Sequence, residues 1–274
     1  MDETLARDGV VLLRQALSPA EVAEVEHVFE HGRANPSPGA YTVYPETGAT
    51  FSIDTFHAAN WPAYERAFRD TSLPDHLAEL WGCDDVWFFY EQLFLKEGGS
   101  MRRTPWHQDS SYLPVAGQHV AVCWITLDAL RAEESLEFVR GSHLGPMYNT
   151  SAFDPHDDTK PIFEDLDLPR LPDIEADRQG HDIVSWAVEP GDVIVFHANV
   201  LHGGAPTSPG RRRRTVSLRY FGEDATYRPL QRVATDPEGK RVATTLASAF
   251  GGSMEPGSPF RHEMFHHVRP RSRT

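Results

Sequence analysis

From residue 86 onward the chain reads as a series of short apolar runs cut by Gly, Pro and Asp, and this limits the fold more than any other feature. "DVWFFYEQLFLKEGG", "HVAVCWITLDAL", "SLEFVRGSH", "IVSWAV", "DVIVFHANVLHGG" and "RTVSLRYFG" follow one another as candidate strands. Runs of this length, rich in β-branched and aromatic residues and bounded by turn formers, indicate a β-sandwich or barrel. The 21 prolines and 20 glycines suit the turns and long loops such a fold needs. No internal repeat is visible.

The region before residue 86 is different. "GVVLLRQAL" reads as a short strand. Ser18, Pro19 and Glu21 then give a capping box with proline in the first helical turn. Val22, Val25 and Phe29 recur at helical spacing, and Gly32 is the expected stop. A second helical stretch is expected from about Trp61 to Trp81, broken near Pro74. Between His143 and Asp182 lies a polar, Pro- and Asp-rich segment, read either as a loop near an opening or as plain surface. The basic tail "HHVRPRSRT" is expected to fray.

Charge and cysteine content exclude several classes. A formal charge of −14 is the wrong sign for broad nucleic-acid binding or attraction to an anionic membrane. Cys83 and Cys123, the 2 cysteines, make no disulfide framework. No basic, then apolar leader opens the sequence, and no apolar run approaches the roughly 18 residues of a membrane span. The expectation is a cytoplasmic protein acting on a small molecule, with no nucleic-acid or membrane partner; oligomeric state is unreadable.

The chemistry concentrates in "TPWHQDSSY". On a strand, residues i and i+2 share a face, so His107 and Asp109 point together and Gln108 points away. A third ligand must come from elsewhere. In "PGDVIVFHANVLHGG" His197 and His202 have opposite parity. His202 ends the strand, and Gly203 and Gly204 beyond it leave room for an ion and a co-substrate; His197, mid-strand, reads as a packed histidine. Eleven residues after His202, Arg213 opens a strand on which Arg213, Thr215, Ser217 and Arg219 share one face. An inward arginine needs an anion, because an unpaired buried charge is costly. A dicarboxylate supplies one through two parallel hydrogen bonds to the guanidinium, and Ser217 can add a hydroxyl donor. Two histidines and a carboxylate with open positions form the facial triad of non-haem Fe(II) oxygenases. A zinc hydrolase uses the same residue types but has no need of Arg213 and Ser217.

Together these blocks resemble the phytanoyl-CoA dioxygenase-like family of Fe(II)/2-oxoglutarate oxygenases. The carriers are "KEGGSMRRTPWHQDSSYLPVAG", "WITLDALRAEESLEFVRGSH" and "PGDVIVFHANVLHGGAPTSPGRRRRTVSLRYFGEDATY", and the resemblance spans about Asp2 to Tyr227. It implies a double-stranded β-helix (jelly roll), mainly β with flanking α-helices, as one domain over 1–274. That domain divides into a helical flank at about 1–84, a core at about 85–230 and an inserted loop at about 144–182. It implies that His107, Asp109 and His202 hold Fe(II), and that Arg213 and Ser217 hold the far carboxylate of 2-oxoglutarate. Lys96 matches a family lysine and is read equally as reaching the cofactor, reaching the substrate, or capping the strand end. Tyr90, Gln92 and Trp124 are expected on strands lining the barrel, Trp124 leaning toward core packing, and Tyr112 near the substrate.

The implied reaction consumes O2 and 2-oxoglutarate, releases succinate and CO2, and hydroxylates a C–H bond. Related halogenases carry a small residue where Asp109 stands, so the carboxylate points to oxygen insertion. Gly98, Ser135, Arg140 and the pair Arg102–Arg103 depart from the family pattern. They bear on the substrate: Lys96, Arg102 and Arg103 suggest an acidic group on it, with Arg103 in contact. A non-catalytic jelly-roll sensor of metal and 2-oxoglutarate, and a zinc hydrolase on a cupin-like barrel, are the alternatives at this level.

Overall fold

A computed structural model describes residues 1–43, 49–55, 60–99, 101–154, 156–163, 166–229 and 254–270, with the backbone alone at 233–235 and 241–243. In chain order the strands are β1 (Val10–Leu13), β2 (Tyr41–Thr42), β3 (Thr50–Thr55), β4 (Val86–Glu97), β5 (Thr104–His107), β6 (Val115–Ala116), β7 (Val120–Thr126) and β8 (Leu136–Val139). They continue with β9 (Ile183–Ser185), β10 (Val193–His197), β11 (His202–Gly204), β12 (Arg213–Phe221), β13 (Thr226–Tyr227), β14 (Val233–Thr235), β15 (Arg241–Ala243) and β16 (His266–Arg269). The helices are α1 (Glu3–Asp8), α2 (Pro19–Ala34), α3 (Trp61–Glu65) and α4 (Leu73–Trp81).

Two antiparallel sheets make the jelly roll. The larger runs β1-β10-β7-β12-β4-β3-β2, with β16 also on β4; the smaller runs β5-β11-β8-β9. Of the central strands in the large sheet, β7 and β10 are apolar on both faces because both are covered. Val216, Leu218 and Tyr220 of β12 pack with Val25, Phe29 and Phe68 on the helical side. Trp124 of β7 and Phe196 of β10 face the other way, against Leu136 and Phe138 of the small sheet. Each such side chain withdrawn from water stabilises the fold by about 1.5–3 kcal/mol. The odd-numbered face of β12, bearing Arg213, Thr215, Ser217 and Arg219, is therefore left to the barrel interior.

The N-terminal helix starts as expected: Ser18 and Glu21 form the reciprocal capping box. It does not stop at Gly32, which is buried within its last turn, but continues to Ala34, with Asn35 as cap. The 61–81 stretch breaks at Thr71–Ser72, two residues before the expected point; Pro74 sits in the first turn of α4, where its missing N–H costs nothing. "DVIVFHANVLHGG" is not one strand. β10 ends at His197 in the large sheet, and His202 opens β11 in the small one. The tail also differs from expectation: His266–Arg269 pairs with β4, and His266 stacks on Trp61 with ring centroids 3.3 Å apart. Among the described residues, no helix is long and apolar enough to cross a membrane.

Candidate active site

β5 and β11 pair so that His107 lies directly opposite His202, with ring centroids 4.1 Å apart. Gly203 makes this approach possible. A Cβ there would lie 2.9 Å from the carbonyl oxygen of Thr104 and 3.0 Å from that of Pro105. Gly203 and Gly204 thus serve strand packing, with Gly204 at φ +86°, and neither lines the cavity; the space they were expected to leave for an ion is filled by β5 and Glu137.

Asp109 is not on the strand. β5 ends at His107, and Asp109 opens a 3-10 turn through Ser111. Gln108 between them does point away. Its amide donates to the carbonyls of Asn199 (2.8 Å) and Pro146 (3.2 Å) and accepts from the Tyr148 N–H (2.8 Å), which locks the turn.

The ligand atoms offered by His107, Asp109 and His202 lie within 4.8 Å of one another, the one such cluster among the described residues. Asp109 Oδ1 is 3.7 Å from His107 Nε2 and 3.8 Å from His202 Nε2. Each imidazole bonds through Nδ1 to a carbonyl two residues upstream, Pro105 at 2.8 Å and Val200 at 3.0 Å. A carbonyl only accepts, so Nδ1 carries the proton and Nε2 turns a lone pair inward. Burial, against the pull of Asp109, keeps His107 below its ordinary pKa, and burial with the neighbouring His107 pushes His202 down to about 3. Burial alone would raise the Asp109 carboxyl, but Arg219 and the two imidazoles hold it below the usual range. Two neutral imidazole nitrogens and a carboxylate oxygen converging on one point are a donor set that fits Fe(II).

Asp109 Oδ2 accepts from Arg219 Nη2 at 2.7 Å. Arg219 also donates to Gln92 Oε1 and stands 4.6 Å from the Tyr90 ring centroid. The sequence shows Arg219 on the face of Arg213, six residues on, but gives no sign of its partner. Tyr90 and Gln92 line the cavity as expected, and both brace Arg219.

Arg213 is 3% exposed, and no carboxylate among the described residues pairs with it. Its Nη1 donates to the Ala205 carbonyl at 3.1 Å, its Nε has no partner, and burial pushes it down to about 10. Ser217 opens on the same cavity, between its cross-strand neighbours Gln92 and Trp124. A buried cation short of an anion, with a hydroxyl on the same face, fits the carboxylate of 2-oxoglutarate.

Lys96 takes one of its three readings, and Arg103 departs from expectation. Lys96 is fully buried outside the cavity wall; its ammonium donates to the carbonyls of Ala205 and Arg102 and to Thr104 Oγ1, at 3.0, 3.3 and 3.2 Å. It ties the end of β4 to the chain around β5, the strand-capping reading. Arg103 pairs with Glu137 (2.6 Å) and Glu175 (2.5 Å) and lies over Trp106. Thr104 next to it faces the cavity, so alternation turns Arg103 outward. Arg102 pairs with Asp158. His197 is structural: Nε2 bonds to the Gly117 carbonyl and Nδ1 accepts from the Asn199 N–H, both at 3.0 Å.

All of these inward groups open on one cavity of about 770 Å³. Tyr112 and Trp124 line it, and the 144–182 segment contributes Ala152, Phe153, Ile162 and Phe163. Asn149 anchors that segment by donating to the Phe163 carbonyl (2.5 Å) and accepting from its N–H (3.2 Å).

The sequence model of the phytanoyl-CoA dioxygenase (PhyH) family matches residues 5–215. Ectoine dioxygenase of Sphingopyxis alaskensis is 27% identical over 208 residues, 72% of this chain and 67% of its own length. The peroxisomal phytanoyl-CoA dioxygenase of Bos taurus is 24% identical over 194 residues; this chain covers 55% of it, little more than half. Among solved structures, the epimerase SnoN in complex with Fe3+, α-ketoglutarate and nogalamycin RO superposes with a TM-score of 0.67 at 21% identity. The match covers 97% of this chain and 96% of that one, and shows a shared fold.

Proposed function

The chain belongs to the phytanoyl-CoA dioxygenase family and is an Fe(II)- and 2-oxoglutarate-dependent oxygenase; on that premise we propose that it hydroxylates an unactivated C–H bond of a small molecule. The observation that carries the reading is the convergence of His107, Asp109 and His202 in a cavity that also holds Arg213, buried with no carboxylate partner among the described residues. His107 and His202 would hold the metal through Nε2 and Asp109 through Oδ1. Arg213 and Ser217 would hold the far carboxylate of 2-oxoglutarate. When bound, Fe(II) with 2-oxoglutarate and O2 supplies the oxidising equivalents, the keto acid leaving as succinate and CO2.

The protein's own part is orientation and exclusion of water. The Nδ1–H bonds to Pro105 and Val200 fix both imidazole planes and tautomers. Arg219 occupies Oδ2 of Asp109, which leaves Oδ1 facing the two histidines. Phe153, Ile162 and Phe163 close the cavity on the side of the 144–182 segment, which we read as the part that meets substrate. The test is anaerobic loading with Fe(II) and 2-oxoglutarate, then exposure to oxygen across a panel of small molecules, with succinate and hydroxylated product quantified. Product equal to succinate for one of them supports the proposal. 2-Oxoglutarate-independent activity with zinc alone, or binding of both ligands with no oxygen consumed, would refute it.

A further inference from the structure

The wall of the cavity narrows the substrate class. Its charged or readily protonated side chains, among the described residues, are His107, Asp109, His202, Arg213 and Arg219. The reading above engages every one. The first three face the metal. Arg213 faces the co-substrate. Arg219 is paired with Asp109 through Nη2, and its Nε and Nη1, which have no partner, are closed off from solvent. The cations that could have met an acidic substrate, Lys96, Arg102 and Arg103, are held by the carbonyls and carboxylates described above. What remains is dominated by hydrocarbon and aromatic faces, among them Phe51, Ile53, Phe94, Phe153, Ile162 and Phe163, with uncharged hydroxyl and amide groups between them.

A charged group brought against these side chains would find no counter-charge among the described residues and would lose its hydration. A neutral hydrophobic body would instead gain from every apolar contact. The volume of about 770 Å³, which must also take the metal and 2-oxoglutarate, lies within the roughly 300–1,000 Å³ that encloses a drug-sized ligand. We propose, resting on the iron and 2-oxoglutarate reading, that the substrate is a bulky, uncharged, mainly hydrophobic molecule, and that any ionised group it carries stays outside the cavity.

The test uses the full chain loaded with Mn(II) and 2-oxoglutarate without oxygen, so that nothing turns over. Equilibrium dialysis then compares two matched series: phenanthrene bearing a hydroxymethyl, carboxylate or aminomethyl group, and a ten-carbon chain as alcohol, carboxylate or amine. The neutral member of at least one series should bind about tenfold or more tighter than both charged members. In the same series Ile162→Arg, which places a cation on the wall, should shift the preference toward the carboxylate by a similar factor. No preference for the neutral member in either series, or a preference that Ile162→Arg leaves untouched, would overturn the proposal. Failure of the wild-type protein to retain Mn(II) and 2-oxoglutarate, read in the same dialysis, would instead overturn the site reading beneath it.

Discussion

Arg219 and Asp109 form an ion pair at 2.7 Å in which both side chains are under 10% exposed, so one oxygen of the candidate metal ligand is already held before any metal arrives. Removing the guanidinium leaves a buried carboxylate unpaired. Arg219→Gln should therefore destabilise the metal-free protein by about 3–5 kcal/mol. Mn(II) should restore part of the loss by binding the native state. Arg219→Lys keeps the charge but displaces the donor from the Nη2 position that bonds both Asp109 and Gln92, and should fall between the two. Urea denaturation with and without Mn(II) reads all three; a glutamine variant within 1 kcal/mol of wild type would mean that Asp109 does not depend on this partner.

Arg213 should behave in the opposite sense. It is buried with no carboxylate partner among the described residues, so Arg213→Met should leave the stability of the ligand-free protein unchanged or raise it. The same change should increase the Michaelis constant for 2-oxoglutarate about 30- to 5,000-fold, corresponding to roughly 2–5 kcal/mol for a truncated charge pair. Initial rates of 2-oxoglutarate consumption would show it. A large loss of stability with an unaltered Michaelis constant would give Arg213 a purely structural role.

Acidification should weaken the metal-free fold through His202. Its native pKa is held down to about 3, against about 6.5 in an unfolded chain. Below pH 6.5 the unfolded chain takes up a proton that the native one refuses, so stability falls as pH falls from about 6.5 toward 3. Between pH 7.5 and 5 this amounts to about 2 kcal/mol for His202 alone. Denaturation midpoints at the two pH values should show a loss in wild type that exceeds the loss in His202→Gln by that amount; equal losses would contradict it.

Gly203→Ala should disturb the histidine pair without touching a ligand. The new Cβ would press on the Thr104 and Pro105 carbonyls at 2.9 and 3.0 Å, and backbone cannot rotate out of the way. We expect a loss of about 1–3 kcal/mol, as for other overpacked sites, together with weaker Mn(II) retention in dialysis. Gly39→Ala, whose Cβ would meet only Ser37 Oγ at 3.6 Å, is the control and should match wild type.

The residues that meet at the site were legible where chemistry and spacing coincide. His107 and Asp109 two apart, a histidine before paired glycines, and an arginine eleven residues later need no knowledge of pairing. What stayed hidden depends on long-range register. Arg219 reaches Asp109 across the barrel, and it meets Tyr90 only because β12 lies against β4 in that alignment. Lys96 and Arg103 illustrate the converse. A cation near the site in sequence gives no indication of which carbonyl or carboxylate will take it, and Glu175, which takes Arg103, arrives 72 positions later. β3 and β16 are short and partly polar, and they become strands by pairing with β4, as context usually overrides propensity for such segments. The mostly apolar letters before His202, interrupted only at His197 and Asn199, conceal the step from one sheet to the other.

The hold of Asn149 on Phe163 gives the 144–182 segment a fastening of its own, away from the three ligands. Inside that clasp Phe153 packs beside His107, with ring centroids 5.8 Å apart, while Ala152 and Ile162 line the rest of that side of the cavity. On the proposed function, part of the wall that meets substrate is thus written on a stretch of polypeptide that supplies none of the three ligands, and a lineage built on this scaffold would gain new targets by editing that stretch.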